Sequence, residues 1–233
     1  MRMNRGDAAK LGFDPERLDR IGAWMDSYVA ARKYPGSSVL VARHGEEAYF
    51  HATGHRDIES GAPFERDTVT RIYSMTKPIT SALIMDLAED GKLNLTDPVA
   101  KYIPALGGMK VASLGEDGAP VFSDQVVPMT IEDLLLHRAG IGYGIFGPVS
   151  PIEEMYEKAE LFDPREDLSV KMDKLAELPL VAQPGTGWYY SYSIDVLGRV
   201  AEVAGDDSLG DLFQARFFDP MGMTETGFHV RPD

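Results

Sequence analysis

Arg71-Ile72-Tyr73-Ser74-Met75-Thr76-Lys77 is the stretch on which the reading of this 233-residue chain turns. It holds the one Ser-x-x-Lys spacing in the sequence, Ser74 and Lys77. A β-like run over residues 68–72 precedes it. A helical pattern from Pro78 to Asp90, closed by Gly91, follows it. Residues three apart on a helix share a face, so Lys77 stands one turn beyond Ser74 and points back towards its hydroxyl. A serine hydroxyl is a poor nucleophile until a neighbouring base takes its proton. A lysine amine can be that base when burial or nearby charge keeps it neutral. The start of a helix adds unpaired N–H groups that can hold a developing oxyanion. The spacing alone is weak evidence, since a solvated Ser and Lys at a helix start would show it too. The rest of the chain has to decide.

The length suits one large domain or two small lobes, and 44% hydrophobic residues allow a sizeable core. The formal net charge of −14 and the lack of a basic cluster argue against nucleic acid or an anionic membrane as partner. There is no cysteine, which excludes disulfides, thiol catalysis and Cys-ligated metals. The histidines His44, His51, His55 and His229 show no ligand spacing, so no metal and no cofactor is expected. The first residues lack the apolar core of a signal peptide. No run approaches the ~18 apolar residues of a membrane span. The expectation is a soluble cytoplasmic protein.

Taken in order, Asp14-Pro15 reads as a helix start, Asp as N-cap and Pro in the first turn. Leu18, Ile21, Met25, Tyr28 and Val29 recur at helical spacing up to Pro35-Gly36. Val39–Ala42, a turn at His44-Gly45-Glu46, and Ala48–Ala52 read as a hairpin, which alone is only marginally stable. Beyond Ser74 the pattern is mostly helical. Residues 107–125 read as a polar loop. Thr130-Ile131-Glu132-Asp133 resembles a capping box with Asp for Glu, opening a short helix from Ile131 to Leu136. Residues 140–152, rich in Gly and Pro, read as a loop lining a cleft. The acidic residues 153–167 read as a solvated surface. Helices are expected from Leu168 to Leu178, Ile194 to Ala204 and Leu209 to Phe218, the last capped by Ser208. Glu225 to Val230 reads as the start of a strand.

A second stretch bears on the chemistry. Trp188-Tyr189-Tyr190-Ser191-Tyr192 follows the turn Pro184-Gly185-Thr186-Gly187 and precedes a helix. A phenol there can relay protons if a nearby ammonium lowers its pKa from about 10. A core aromatic with a satisfied hydroxyl fits the same residues.

Five matches in fixed order go further. They are Ser74-Met75-Thr76-Lys77-Pro78; Gly91 to Val99 followed by Tyr102-Ile103-Pro104; Leu134-Leu135-Leu136-His137-Arg138-Ala139-Gly140-Ile141; Pro184 to Ser191 with Val196-Leu197-Gly198; and Phe218-Asp219-Pro220-Met221-Gly222-Met223. The series resembles the serine β-lactamase and penicillin-binding-protein superfamily, above all the class C β-lactamase-like carboxylesterases (family VIII esterases). The resemblance runs from about Leu18 to Phe228. It implies an α+β fold, an antiparallel sheet flanked by helices plus a mostly helical lobe. It implies Ser74 as nucleophile with Lys77 and Tyr190 as general acid–base pair, and Tyr143 and Tyr192 as residues bordering the substrate. Trp188 is expected to pack beneath the second motif, and His137 to make a structural hydrogen bond at its helix end.

Three departures stand out. Tyr192 replaces the Asn of the lactamases, Arg138-Ala139 replace Thr-Ser, and the family's third motif, a strand, has no counterpart in the chain. The first tilts the reading from lactam to ester. Residues 1–73 then form the N-terminal part of the α/β lobe, residues 74–224 the helical lobe, and residues 225–233 the start of a return to the sheet. The C-terminal strands are expected from a segment or second chain outside this sequence. The implied activity is hydrolysis of small, short-chain carboxylic esters through an acyl-enzyme on Ser74. The alternatives are a β-lactamase, D-amino peptidase or transesterase on the same scaffold, and a non-catalytic sensor module.

Overall fold

The computed structural model describes residues 7–145 and 150–229. The chain divides into two compact units, Met1–Arg71 and Ile72–Asp233.

In the first unit, helix α1 spans Pro15–Ala30. The Asp14 side chain caps it by accepting from the N–H groups of Glu16 and Arg17, as Asp-Pro at a helix start predicts. Leu18, Gly22 and Met25 form its buried stripe. Strand β1, Gly36–Arg43, pairs antiparallel with β2, Glu46–Asp57, and the short β3, Ala62–Pro63, pairs with the end of β2. The hairpin is therefore longer than the expected one and gains a third strand. The buried carboxylate of Glu47 on β2 takes two hydrogen bonds from Arg66, at 2.7 and 2.9 Å. The same guanidinium lies over the Phe50 ring, 3.7 Å from its centroid.

The second unit is built on α2, Thr76–Glu89. Thr80, Leu83, Ile84 and Leu87 fall on one face, and the three aliphatic side chains are wholly buried. That spacing is the stripe of an amphipathic helix. Residues 68–72 are not a strand; the chain passes from irregular backbone straight into a 3₁₀ turn, Tyr73–Met75, that feeds α2. The apolar face of α2 packs against α6, Ser193–Gly205, whose Ile194, Val196, Leu197, Val200 and Ala201 are buried. Around this pair lie α3 (Ile131–Leu135), α5 (Leu168–Ala176) and α7 (Leu209–Phe213). The capping box of α3 is present, Thr130 and Asp133 exchanging side-chain-to-backbone bonds. Ser208 caps α7 by accepting from the Asp211 N–H.

Residues 107–125 are not merely a loop. Val111–Leu114 (β4) and Pro120–Ser123 (β5) form a second hairpin about Asp117-Gly118. On its other side β4 bonds residue 180, Ala112 N–H to Leu180 O at 2.8 Å and Leu180 N–H to Lys110 O at 2.7 Å. The acidic stretch beginning at residue 153 also carries structure. Helix α4, Pro151–Lys158, is capped by Ser150 and buries Ile152 and Tyr156. Residues 146–149 of the expected cleft loop lie outside the described residues. So does Val230, and residues 225–229 form bends and turns rather than a strand. Among the described residues no helix is long and apolar enough to cross a membrane.

The second unit rests on aliphatic packing under α2. Leu87→Ala should therefore cost about 2–5 kcal/mol in a denaturant titration, the range for a fully buried leucine. A loss below about 1 kcal/mol would show that α2 is held by something else.

Candidate active site

Tyr73 has a positive φ of 44°, a conformation that a bulky residue adopts only when its surroundings force it. The turn it makes places Ser74 exposed, two residues before α2 begins at Thr76. Lys77, one helical turn on, donates from Nζ to Ser74 Oγ at 3.2 Å. Ser74 Oγ also shares a hydrogen bond of 2.8 Å with the Tyr190 hydroxyl. Lys77 Nζ lies 4.8 Å from the centroid of the Tyr190 ring. The three residues picked out in the sequence thus meet around one oxygen.

Tyr190 is held there by backbone. The Tyr189 N–H donates to His137 O at 2.8 Å, the Gly185 N–H to Arg138 O at 2.8 Å, and the Val181 N–H to Gly140 O at 2.7 Å. The end of α3 is thereby zipped to the segment that leads into Tyr190. Gly140 is required in this zip: φ is +77°, and a Cβ would stand 2.1 Å from Ala182 O. Arg138, which replaces a family Thr, donates its guanidinium to Gly185 O. The departure is thus a second clasp on the same turn.

The electrostatics follow from this geometry. The Lys77 side chain first, and the Ser74 hydroxyl second, hold the Tyr190 phenol below its usual value, against a smaller opposing effect of burial. Burial pushes the Tyr143 phenol up to about 12, and Tyr192 also titrates well above its ordinary range for the same reason. Of the tyrosines here, Tyr190 alone is tuned towards ionisation. Asp195, in the first turn of α6, keeps an open edge but is surrounded by enough protein that desolvation raises its carboxyl; Lys77 opposes that rise.

Two expectations need correction. His137 does not make the structural hydrogen bond expected of its side chain: Nδ1 is buried without a partner. The imidazole instead stacks on Tyr190, centroids 4.9 Å apart and planes 29° apart. Burial first, then the Lys77 charge, lower its pKa. Trp188 does not pack beneath the second motif. It is 66% exposed, beside the rings of His137 and Tyr190.

Tyr143 stands edge-on to Tyr190, centroids 5.4 Å apart, and to Tyr192 at 4.9 Å. Tyr143 and Tyr192 both line a hollow of about 600 Å3, with Phe162 against each of them. Phe162 and Asp195 are the residues that sequence reasoning missed. An Asp in a first helical turn reads as a helix-end charge, and nothing local marks Phe162. Among the described residues no group of three or more His, Asp or Glu could hold a metal ion.

The lowered pKa of His137 sets a pH expectation. The unfolded imidazole takes its proton near 6.5, the folded one only at lower pH. Its contribution to stability is therefore full above about pH 6.5 and is lost as pH falls through the folded value. Titration of the His137 ring by NMR should give a midpoint below 6.5. A midpoint above it would contradict the stacked, desolvated imidazole.

Comparison with known proteins agrees with this geometry. The family model described as Beta-lactamase matches residues 21–233. Protein Rv1367c of Mycobacterium tuberculosis (strain ATCC 25618 / H37Rv) is 40% identical over 202 residues, 85% of this chain and 48% of that protein. Esterase EstB of Burkholderia gladioli is 34% identical over 224 residues, 95% of this chain and 53% of that protein. Among solved structures, EstCE1, a hydrolase with promiscuous acyltransferase activity, is 30% identical with a TM-score of 0.77, covering 97% of this chain and 55% of that one. The chain spans about half the length of the curated relatives it matches. With the family model covering nearly all of the described residues, and Ser74, Lys77 and Tyr190 gathered as its motifs imply, the chain belongs to the beta-lactamase family.

Proposed function

We propose that the protein is a serine carboxylesterase that works through an acyl-enzyme on Ser74. The observation that carries this reading is the placement of Ser74 Oγ between the Tyr190 hydroxyl, 2.8 Å away, and Lys77 Nζ, 3.2 Å away. Ser74 Oγ attacks the ester carbonyl while its proton passes into the Lys77–Tyr190 pair. The tetrahedral oxyanion is met by the Ser74 N–H. The carbon–oxygen bond to the alcohol then breaks, and the same pair returns the proton to the leaving alkoxide. Water gives up a proton to the pair, attacks the acyl-enzyme and releases the acid, and Ser74 Oγ regains its proton. The lowered pKa of Tyr190 supports a phenol that gives up its proton more readily than a free tyrosine does. Lys77 and Tyr190 act as one acid–base unit around Ser74 Oγ.

The likeness to EstB supports ester over amide substrates. So does Tyr192, which is buried and offers no side-chain amide where lactamases carry Asn. Short-chain esters are the proposed substrates. An alcohol in place of water would complete a transesterification by the same steps. The likeness to EstCE1 supports that second outcome for the same acyl-enzyme.

In the natural protein, Ser74→Ala should lower kcat for p-nitrophenyl acetate by on the order of 10⁶, as loss of a serine nucleophile does elsewhere. Lys77→Ala and Tyr190→Phe should each cost at least about 10². The double variant should lose little more than the worse single one. Ser74→Ala within tenfold of wild type would sink the nucleophile assignment. A stoichiometric acyl adduct that never turns over would favour the sensor module instead.

A further inference from the structure

The hollow beside Tyr190 has walls of an unusual kind. Tyr143, Phe162 and Tyr192 contact one another pairwise, with centroids 4.9, 5.4 and 5.9 Å apart. Their planes are mutually tilted by 74°, 51° and 56°, so the rings form three sides of a corner rather than a stack. All three line the hollow. The Tyr143 ring is also the wall nearest the catalytic centre, edge-on to Tyr190 at 5.4 Å. Rings tilted against one another in this way put both edges and faces among the walls, and an aromatic face carries negative potential that attracts cations.

The remaining lining decides the sign of the preferred ligand. Glu157 and Glu160 border the same hollow and are exposed to its solvent. Arg165, the one cation on the lining among the described residues, is held by Asp163 through bonds of 2.9 and 2.5 Å. Its charge is therefore paired with the Asp163 carboxylate at the surface. An anionic group entering the hollow would face Glu157 and Glu160, with that lining cation already paired with Asp163. A neutral apolar group would satisfy the rings but gain nothing from the carboxylates. An alkylated ammonium satisfies both, because its methyl groups pack on the rings and its charge is weakly hydrated. A primary ammonium keeps a tighter hydration shell and would lose more on entry.

We infer that this hollow is a subsite for an alkylated ammonium group carried by the ester substrate. The inference rests on the esterase reading above. It specifies the substrate class: small esters of amino alcohols that carry a tertiary or quaternary ammonium. The rings supply shape and polarisation. The carboxylates supply a salt-screened attraction that also raises the local concentration of the cation.

The test compares acetylcholine with 3,3-dimethylbutyl acetate, the neutral ester of the same shape, on the natural protein. The kcat/KM ratio of cationic to neutral ester should be at least about tenfold at low salt, within reach of cation–π contacts at a partly desolvated site. It should fall as salt is raised. Phe162→Ala, and separately Glu157→Gln with Glu160→Gln, should each lower that ratio by roughly threefold or more. Because the ratio is taken within one variant, a change in overall activity cancels. A ratio near one, or a ratio unchanged in both variants, overturns the subsite. Hydrolysis of p-nitrophenyl acetate by the same preparation shows separately whether the esterase reading holds. If no ester is cleaved, calorimetry with choline and 3,3-dimethylbutanol still decides: tighter binding of choline by about tenfold supports the subsite, and equal binding overturns it.

Discussion

The hydrogen bond between Ser74 Oγ and the Tyr190 hydroxyl joins residues 116 apart in the chain, and the second unit is arranged so that it can form. Its two ends ride on different helices. Ser74 leads into α2, and Tyr190 stands three residues before Ser193, the first residue of α6. The helices are pressed together by fully buried aliphatic side chains, Leu83, Ile84 and Leu87 on one and Val196, Leu197 and Val200 on the other. Close packing resists sliding, because a small displacement leaves contacts unmade. The backbone zip from residues 137–140 to 181–189 then fixes the turn that carries Tyr190. Nonspecific burial thus sets the distance between the helices, and directional bonds set the aim of the phenol.

That division explains the charge pattern at the site. Lys77 is the cation nearest Tyr190, and it shifts Tyr190 and His137 in the same direction for opposite reasons. It favours the phenolate by attraction and disfavours the imidazolium by repulsion. A neutral His137 stacked on Tyr190 braces the ring without adding a second positive charge. A protonated one would compete with Lys77 for the same phenolate. The unpartnered Nδ1 is a cost in hydrogen bonding. It also leaves the ring free to lie flat against Tyr190 rather than turn towards an acceptor.

Much of this could be read from residues alone, and the pattern of what could not is physical. Caps and helix stripes are local, so Asp14-Pro15, Thr130 to Asp133 and Ser208 announce their helices within a few residues. The three residues around Ser74 were legible because their motifs occur in a fixed order. The second hairpin was hidden by its polar composition, although Asp117-Gly118 between two short apolar runs is a hairpin signal in its own right. Residues 68–72 look like a strand because Val and Thr favour extended backbone. That preference is satisfied without a pairing partner here, and β-propensity by itself does not make a strand. Helix α4 was lost among seven acidic residues because only Ile152, Met155 and Tyr156 mark its inward face. His137 and Trp188 were misplaced because ring stacking joins positions about 50 residues apart that no local rule connects.

The aromatic corner carries the same reasoning into specificity. Tyr143 and Tyr192 both line the hollow, and Tyr143 touches Tyr190 as well. Their own phenols stay neutral, because burial holds Tyr143 near 12 and Tyr192 above its ordinary range. They can therefore shape the pocket without competing as bases. Among the tyrosines of this site, the lowered phenol is Tyr190, which has the Lys77 ammonium beside it. Tyr190 is paired with a cation and stacked on an imidazole, whereas Tyr143 and Tyr192 are desolvated, and that difference in environment separates the lowered phenol from the raised ones. A tyrosine-rich site can in this way hold one acid–base group among several neutral walls.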